Sequence, residues 1–401
     1  MLVLLMVSAD FTGGTQKLIT DLQGHFPTPL PTTKPWRPNN TFGDDPKYKD
    51  GYSEQWNFEA QRELSASTMV SAAYVGSKDG RLPHTGLANA ARQASPSGTA
   101  TSVIDALRAM PWVNANITYS RSIGLSHYNA LQTRMQRRFT NDLSSLVSYT
   151  WSKSTDVSSG YFNVENGTGG GSTVQNFYDP NTARGLSSYD IAHFFSWATV
   201  YDLSFGRGKG WLSSGPASWF LGNWQANYIF QIRSGQPYSL QVTGDVANLK
   251  GSAPNIGNYA RPNIIADPFK AGPVPSNPDP GCATTVSNGG KAANAVHNTT
   301  KLVQSLCVLG AIGLVRRFGS ERVPLPHFTN MDFSLFKTLR VRESVSLQMR
   351  FEAFNVFNVQ NWSGPSNVTI NSGTLISKTA GQITGLQGNP RQLQFGLRLM
   401  F

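Results

Sequence analysis

Five charged side chains are the residues best placed by type and spacing to hold a polar ligand. Arg134, Arg138, Arg233, Arg350 and Glu352 each fall at alternate positions in segments whose intervening places are apolar. Guanidinium and carboxylate groups recognise charged or polar partners through short, charge-assisted hydrogen bonds. The plainer alternative is a set of charges that balance one another and bind nothing. Other chemistry is thin. Gly206-Arg-Gly-Lys-Gly210 is glycine-rich and follows an apolar run, as a phosphate cradle does. It has neither Walker nor dinucleotide spacing, and no clear helical pattern follows, so a turn is expected. Asp44, Asp45 and Asp50 lack the regular spacing of a calcium loop and read as a solvated acidic turn. His25, His84, His127, His193, His297 and His327 are scattered, with no zinc-type pair. There is no nucleophile elbow. No enzyme activity, cofactor or metal is expected. Cys282 and Cys307 are the only cysteines, and their even count suits an oxidising compartment. A loop disulfide is expected, with two free thiols as the alternative.

The elements that carry the five charges are strands. Leu131, Thr133, Met135 and Phe139 alternate with Gln132, Arg134, Gln136 and Arg138. Val345, Leu347, Met349, Phe351 and Ala353 alternate with Ser346, Gln348, Arg350 and Glu352. A period of two puts one set on each face of a strand. The chain ends the same way. Leu393, Phe395, Leu397, Leu399 and Phe401 form an unbroken apolar stripe opposite Gln392, Gln394, Gly396 and Arg398. Similar patterns mark strands at 52–62, 67–75, 143–151, 191–205, 224–232 and 333–341, which makes nine in all. Reversals fall near Glu63-Leu64, Asn141-Asp142, 206–218 and Arg342-Glu343. The connections at 77–126, 154–188, 236–329 and 358–390 are long, with a short helix expected near 102–110.

Short and long connections therefore alternate without a break. A transmembrane barrel has short periplasmic turns and long outer loops, whereas a soluble sandwich does not sort its loops this way. The expected fold class is all-β: an antiparallel up-and-down transmembrane β-barrel with long extracellular loops. Lipid is the expected partner of the apolar face. Trp56, Tyr74, Trp151, Trp197 and Trp224 are candidates for the interfacial girdles.

Composition agrees. Charged residues are 14% and aromatics 11%, with 38 glycines, which suits strands joined by long loops. No stretch approaches the roughly 20 apolar residues of a membrane helix, which says nothing against a barrel. The net charge of +11 is spread as single residues rather than a basic stripe, so no nucleic acid is expected. Met1–Val7 is a brief apolar run without a basic leader. It is read as a start imposed on a chain whose upstream part is absent, with a degenerate signal peptide as the alternative. Residues 1–50 are expected to be loop or truncated upstream segment, and 51–401 the barrel.

Several stretches together resemble a family. Tyr52-Ser-Glu-Gln-Trp-Asn-Phe-Glu-Ala-Gln-Arg-Glu-Leu64, Ala73-Tyr-Val-Gly-Ser77 and His127-Tyr-Asn-Ala-Leu-Gln132 are similar to the barrel of Oar-like TonB-dependent receptors. So are Ser148-Tyr-Thr-Trp-Ser-Lys-Ser154, Asn223-Trp-Gln225, Ser234-Gly-Gln-Pro237 and Met331-Asp-Phe-Ser-Leu-Phe-Lys337. Arg350-Phe-Glu-Ala-Phe-Asn-Val-Phe-Asn358 and Pro390-Arg-Gln-Leu-Gln-Phe395 match best. The resemblance implies a large outer-membrane barrel, plugged by an N-terminal domain, that takes up a scarce ligand under drive from the TonB complex. It implies that the terminal stripe Leu393 to Phe401 is the tag read by the barrel-assembly machinery. Such a barrel has about 22 strands, so nine correspond to the C-terminal part, about half. The expectation is a receptor fragment in the bacterial outer membrane whose plug, and with it the TonB contact, lies outside the chain. A passive porin or a surface adhesin is the alternative.

Overall fold

The computed structural model describes residues 6–7, 41–92, 95, 99–111, 117–159, 177–206, 209–211, 213–238, 241–242, 323–324, 326–340, 345–364, 369–370, 383 and 385–401. Nine long strands dominate. They are β1 (Tyr52–Ser65), β2 (Thr68–Leu87), β3 (Ile117–Thr140), β4 (Leu143–Asp156), β5 (His193–Asp202), β6 (Trp224–Arg233), β7 (Phe328–Arg340), β8 (Ser346–Phe354) and β9 (Gln392–Met400). Each pairs antiparallel with the next in chain order. This is the expected up-and-down meander. Among the described residues β1 and β9 each have one long neighbour, so the sheet is an open arc.

Register turns the nine alternations into two continuous faces. Phe58 lies opposite Tyr74, Tyr74 opposite Leu131, and Leu131 opposite Trp151. Val147 faces Trp197, which faces Phe230. Leu335 faces Phe351, which faces Phe395. A slip of one residue anywhere would break this row. The row is bare: Phe58, Phe395 and Leu397 are 74%, 76% and 75% exposed. Among the described residues the largest fully buried side chains, in contrast, are His84, Asn89 and Ser187, all polar. That distribution is the inverse of a water-soluble protein. It is what a wall with hydrocarbon on its outer side requires. Glycines help shape the wall at its outer end. Trp56 and Tyr52 lie across Gly76 and Gly80, their register partners, where a Cβ would sit 2.3 and 2.5 Å from the rings.

A pair of substitutions tests the assignment of faces. Leu397→Arg puts a charge on the apolar row and is expected to destabilise the assembled barrel by about 2–4 kcal/mol. Gln394→Arg, on the other face opposite Glu352, is expected to leave stability unchanged. Urea titration of the closed barrel, completed by the strands that pair with β1 and β9, in lipid vesicles reads both.

The structure corrects several boundaries. The β1–β2 reversal is at Ala66-Ser67, not Glu63-Leu64, because a register shift between Glu63 and Ser65 lets β1 run on. Much of the expected 77–126 loop is strand. β2 has 20 residues and β3 has 24, against the roughly 9–11 needed to cross a bilayer. The hairpin therefore projects beyond the wall, and shifts between Asp79, Leu82 and Pro83 mark where the projection starts. Helix α1 (Thr101–Ala106) overlaps the expected helical stretch but starts one residue earlier and ends sooner. Thr41–Asp44, expected as loop, runs parallel to the start of β3. Trp197 sits in mid-strand rather than at a girdle, with its ring 5.0 Å edge-on from Tyr228. A second helix, α2 (Pro216–Leu221), follows the glycine-rich turn where no helical pattern was expected. Cys282, Cys307 and the reversal at Arg342-Glu343 lie outside the described residues.

Candidate ligand site on the polar face

The inner face is built from the even-numbered positions of β3 to β5. Tyr128 pairs with Ser154, Gln132 with Thr150, and Thr150 with Phe194. At the long-loop end, residues 187–191 fold across these strands. Backbone and hydroxyl groups pin them there. Ser187 N–H donates to Ser154 O at 2.9 Å, and Ser152 Oγ donates to Ile191 O at 2.7 Å. The hydroxyls of Ser154 and Ser187 are 2.8 Å apart. Asp190 Oδ1 accepts the Ser154 N–H at 2.6 Å. Among the described residues, no buried side-chain polar atom of 187–191 lacks a hydrogen-bond partner, as burial demands.

The clasp leaves a cavity of about 270 Å³ between Tyr128, Gln132, Ser152, Tyr189, Asp190 and Phe194. Two phenols and a phenyl ring offer flat apolar faces, while Gln132 and the serines offer hydrogen bonds. Asp190 is 6% exposed. Burial pushes its carboxyl above the usual value of 3.8, against the Ser154 N–H and Lys153, which pull it down. A partly desolvated carboxylate beside aromatic rings can accept hydrogen bonds from a hydroxyl- or amine-bearing ligand.

The five charges foreseen in the sequence are not gathered into one site. Arg134 and Arg138 stand on β3, and Arg134 Nη2 donates to Gln136 Oε1 at 2.9 Å. Arg350 and Glu352 stand together on β8, where Arg350 Nε donates to Gln348 Oε1 at 2.7 Å and the guanidinium covers Phe336 at 5.1 Å. β3 and β8 are five strands apart, roughly 24 Å along the arc. Arg233 ends β6 opposite Phe194, with its guanidinium 4.8 Å over the Phe328 ring. It is the one of the five whose register partner is itself part of the cavity lining. Among the described residues no ion pair joins any of the five. Sequence reasoning missed Asp190 and Tyr189, which sit in an irregular stretch with no periodicity to flag them. Tyr128 and Gln132 carried a signal, namely their place on the polar side of β3. Among the described residues there is no cluster able to hold a metal ion. Asp45, one of the three aspartates weighed for calcium, accepts the Lys47 N–H at 2.9 Å and so closes its own turn.

An open antiparallel meander, bare and apolar outside, polar inside and clasped at the long-loop end, defines a transmembrane β-barrel wall. A family model described as an outer membrane beta barrel domain matches residues 5–394, so the chain belongs to the outer-membrane β-barrel family and its place is the bacterial outer membrane. Among solved structures it is similar to the outer membrane transporter YddB from Escherichia coli, at 8% identity and a TM-score of 0.41, covering 88% of this chain and 33% of that one. The ferric-catecholate import receptor Fiu from Escherichia coli gives 11% and 0.37, covering 88% and 28%. The FrpB iron transporter from Neisseria meningitidis gives 9% and 0.38, covering 90% and 33%. The chain thus spans about a third of the length of the structures it matches. No curated protein matches it.

Proposed function

We propose that this chain is the C-terminal barrel portion of a TonB-dependent outer-membrane receptor that takes up a ligand from outside the cell. The observation that carries the reading is the clasped cavity on the polar face, at the end where the connections are long. Ligand contacts are assigned to Tyr128, Gln132, Tyr189 and Asp190, with Arg233 beside them. Arg134, Arg138, Arg350 and Glu352 line the path further along the inner face. A plug that engages the TonB complex is not among the described residues, and the proposal places it in the remainder of the receptor. The apolar terminal stripe of Leu393, Phe395, Leu397, Leu399 and Phe401 is proposed as the signal for the barrel-assembly machinery. Its side chains are all more than half exposed.

The test uses cells expressing the full receptor. Fractions of spent medium are screened for compounds that raise its melting temperature and enter the cell. Uptake is expected to stop when an uncoupler collapses the proton-motive force. The double variant Tyr128→Ala, Asp190→Ala is expected to lose the thermal shift while keeping its assembly. Uptake that survives the uncoupler would identify a passive porin instead. Cell-surface binding without uptake would identify an adhesin.

A further inference from the structure

The β5–β6 connection has a feature that neither the cavity nor the wall accounts for. Among its described residues, four large apolar side chains are more than half exposed: Trp211 at 70%, Trp219 at 56%, Phe220 at 64% and Leu221 at 54%. Residues 210–224 contain no charged residue. In water, an uncharged ridge of this kind is an association hazard, and one on a membrane protein marks a contact surface. The connection lies at the short-turn end of the wall. It is folded rather than slack. Gly206 adopts a φ of +114°, and a Cβ there would meet Gly222 Cα at 2.7 Å, so only glycine allows the two ends of the connection to close together.

The side of the wall on which α2 lies is set by Lys337. This residue sits on β7 two places from Leu335 and from Leu339. Its register partners are Trp224 and Met349, so it belongs to the apolar outer row. A bare ammonium there would be costly. Lys337 is 3% exposed instead, and its Nζ donates to the carbonyls of Trp219, Phe220 and Gly222 at 2.9, 2.6 and 2.9 Å. An ammonium has three donors, and three carbonyls take them. Two of the acceptors are the last-turn carbonyls of α2, the negative end of its dipole. Trp224 completes the mount, its ring 5.0 Å from Nζ and its Nε1 donating to Phe220 O at 3.2 Å. α2 is thereby fastened to the outer side of the wall, in continuity with the surface that faces hydrocarbon.

We infer that α2 is a membrane-interface element: Trp219, Phe220 and Leu221 seat among the phospholipids of the inner leaflet at the periplasmic rim, and Lys337 is the positioning residue that holds them there. Indole and phenyl rings favour the boundary between headgroups and acyl chains. The inference rests on the barrel-wall reading and on the short turns being periplasmic.

A benzophenone amino acid is placed at position 220, at position 397 as a wall control, or at position 394 as an inner-face control, in the full receptor in native outer membranes. Lipid is radiophosphate-labelled and the membranes are irradiated. Position 220 is expected to label with phospholipid as strongly as 397, with 394 at background. Lipid labelling at 397 with none at 220, or a protein adduct at 220, would overturn the inference and leave the wall intact. Absence of lipid labelling at 397 would overturn both. In a Lys337→Met background, labelling at 220 is expected to fall to the level of 394 while 397 is unchanged, which also shows that the variant has assembled. Unchanged labelling at 220 in that background would remove Lys337 from its role.

Discussion

The 401-residue chain, exported to the outer membrane by itself, is expected to yield no heat-modifiable, protease-protected species. The reason is its two edges. β1 has 14 residues and β9 has nine, and among the described residues each pairs with one long neighbour. On each edge alternate residues aim an N–H and a C=O away from the sheet. For β1 that is half of 14, roughly seven residues and twice as many polar groups. In hydrocarbon each unpaired group costs several kcal/mol. The sum is on the order of tens of kcal/mol, against a net stability of about 5–15 kcal/mol for a folded protein. The terminal stripe cannot offset this, because its apolar gain is already part of the wall. Supplying further strands that pair with β1 and β9 is expected to restore heat-modifiability. Recovery of a stable closed barrel from these residues alone, with β1 paired to β9, would refute the argument.

The same edges show why so much of the wall was legible. Lipid on one side and water on the other impose a period of two, and that period survives in the sequence wherever the strand crosses the membrane. It placed Phe58, Tyr74, Trp151, Phe351 and Phe395 on one face without coordinates. It fails where the constraint stops. Beyond Asp79 the β2–β3 hairpin has no lipid to face, so Leu82-Pro-His-Thr-Gly86 does not alternate, and the segment reads as loop although it is paired. Helix α2 escaped for another reason. Six residues are too few for helical periodicity, and its signal was the Pro216 that starts the first turn. Lys337 interrupts the stripe of Phe333, Leu335 and Leu339, and an interrupted stripe points to a partner. Finding that partner required the fold, because α2 is more than a hundred residues away in sequence. The candidate site was the least legible part. The clasp at 187–191 is held by serine hydroxyls, backbone groups and the Asp190 carboxylate, which leave no periodic spacing to read.

Acidification from pH 7 to about pH 4.5 is expected to open the projecting tip of the β2–β3 hairpin while the wall stays closed. His84 lies in that tip, beyond the membrane-spanning part of β2, and is 2% exposed. Neither ring nitrogen has a hydrogen-bond partner among the described residues. Its cross-strand partner is Arg121, whose guanidinium lies 3.8 Å over the Phe177 ring and donates to the Phe177 carbonyl. Burial, and then the charge of Arg121, lower the imidazole from 6.5 to about 4. Asp45 and Tyr119 lie near enough to favour the Arg121 charge, which burial disfavours. The closed tip therefore holds His84 neutral, whereas an opened tip lets it take a proton at its ordinary value. Stability of the tip is complete above about 6.5 and is lost as pH falls toward about 4. The full span corresponds to about 3 kcal/mol, and most of it has gone by pH 4.5. Amide exchange at residues 82–87 and 118–124 is expected to accelerate by up to about a hundredfold over this range, with exchange in β5 to β8 unchanged. His84→Leu keeps the site apolar and is expected to abolish the pH dependence. If the Leu variant shows the same acid-driven exchange, some other group opens the tip, and the buried imidazole is only packing.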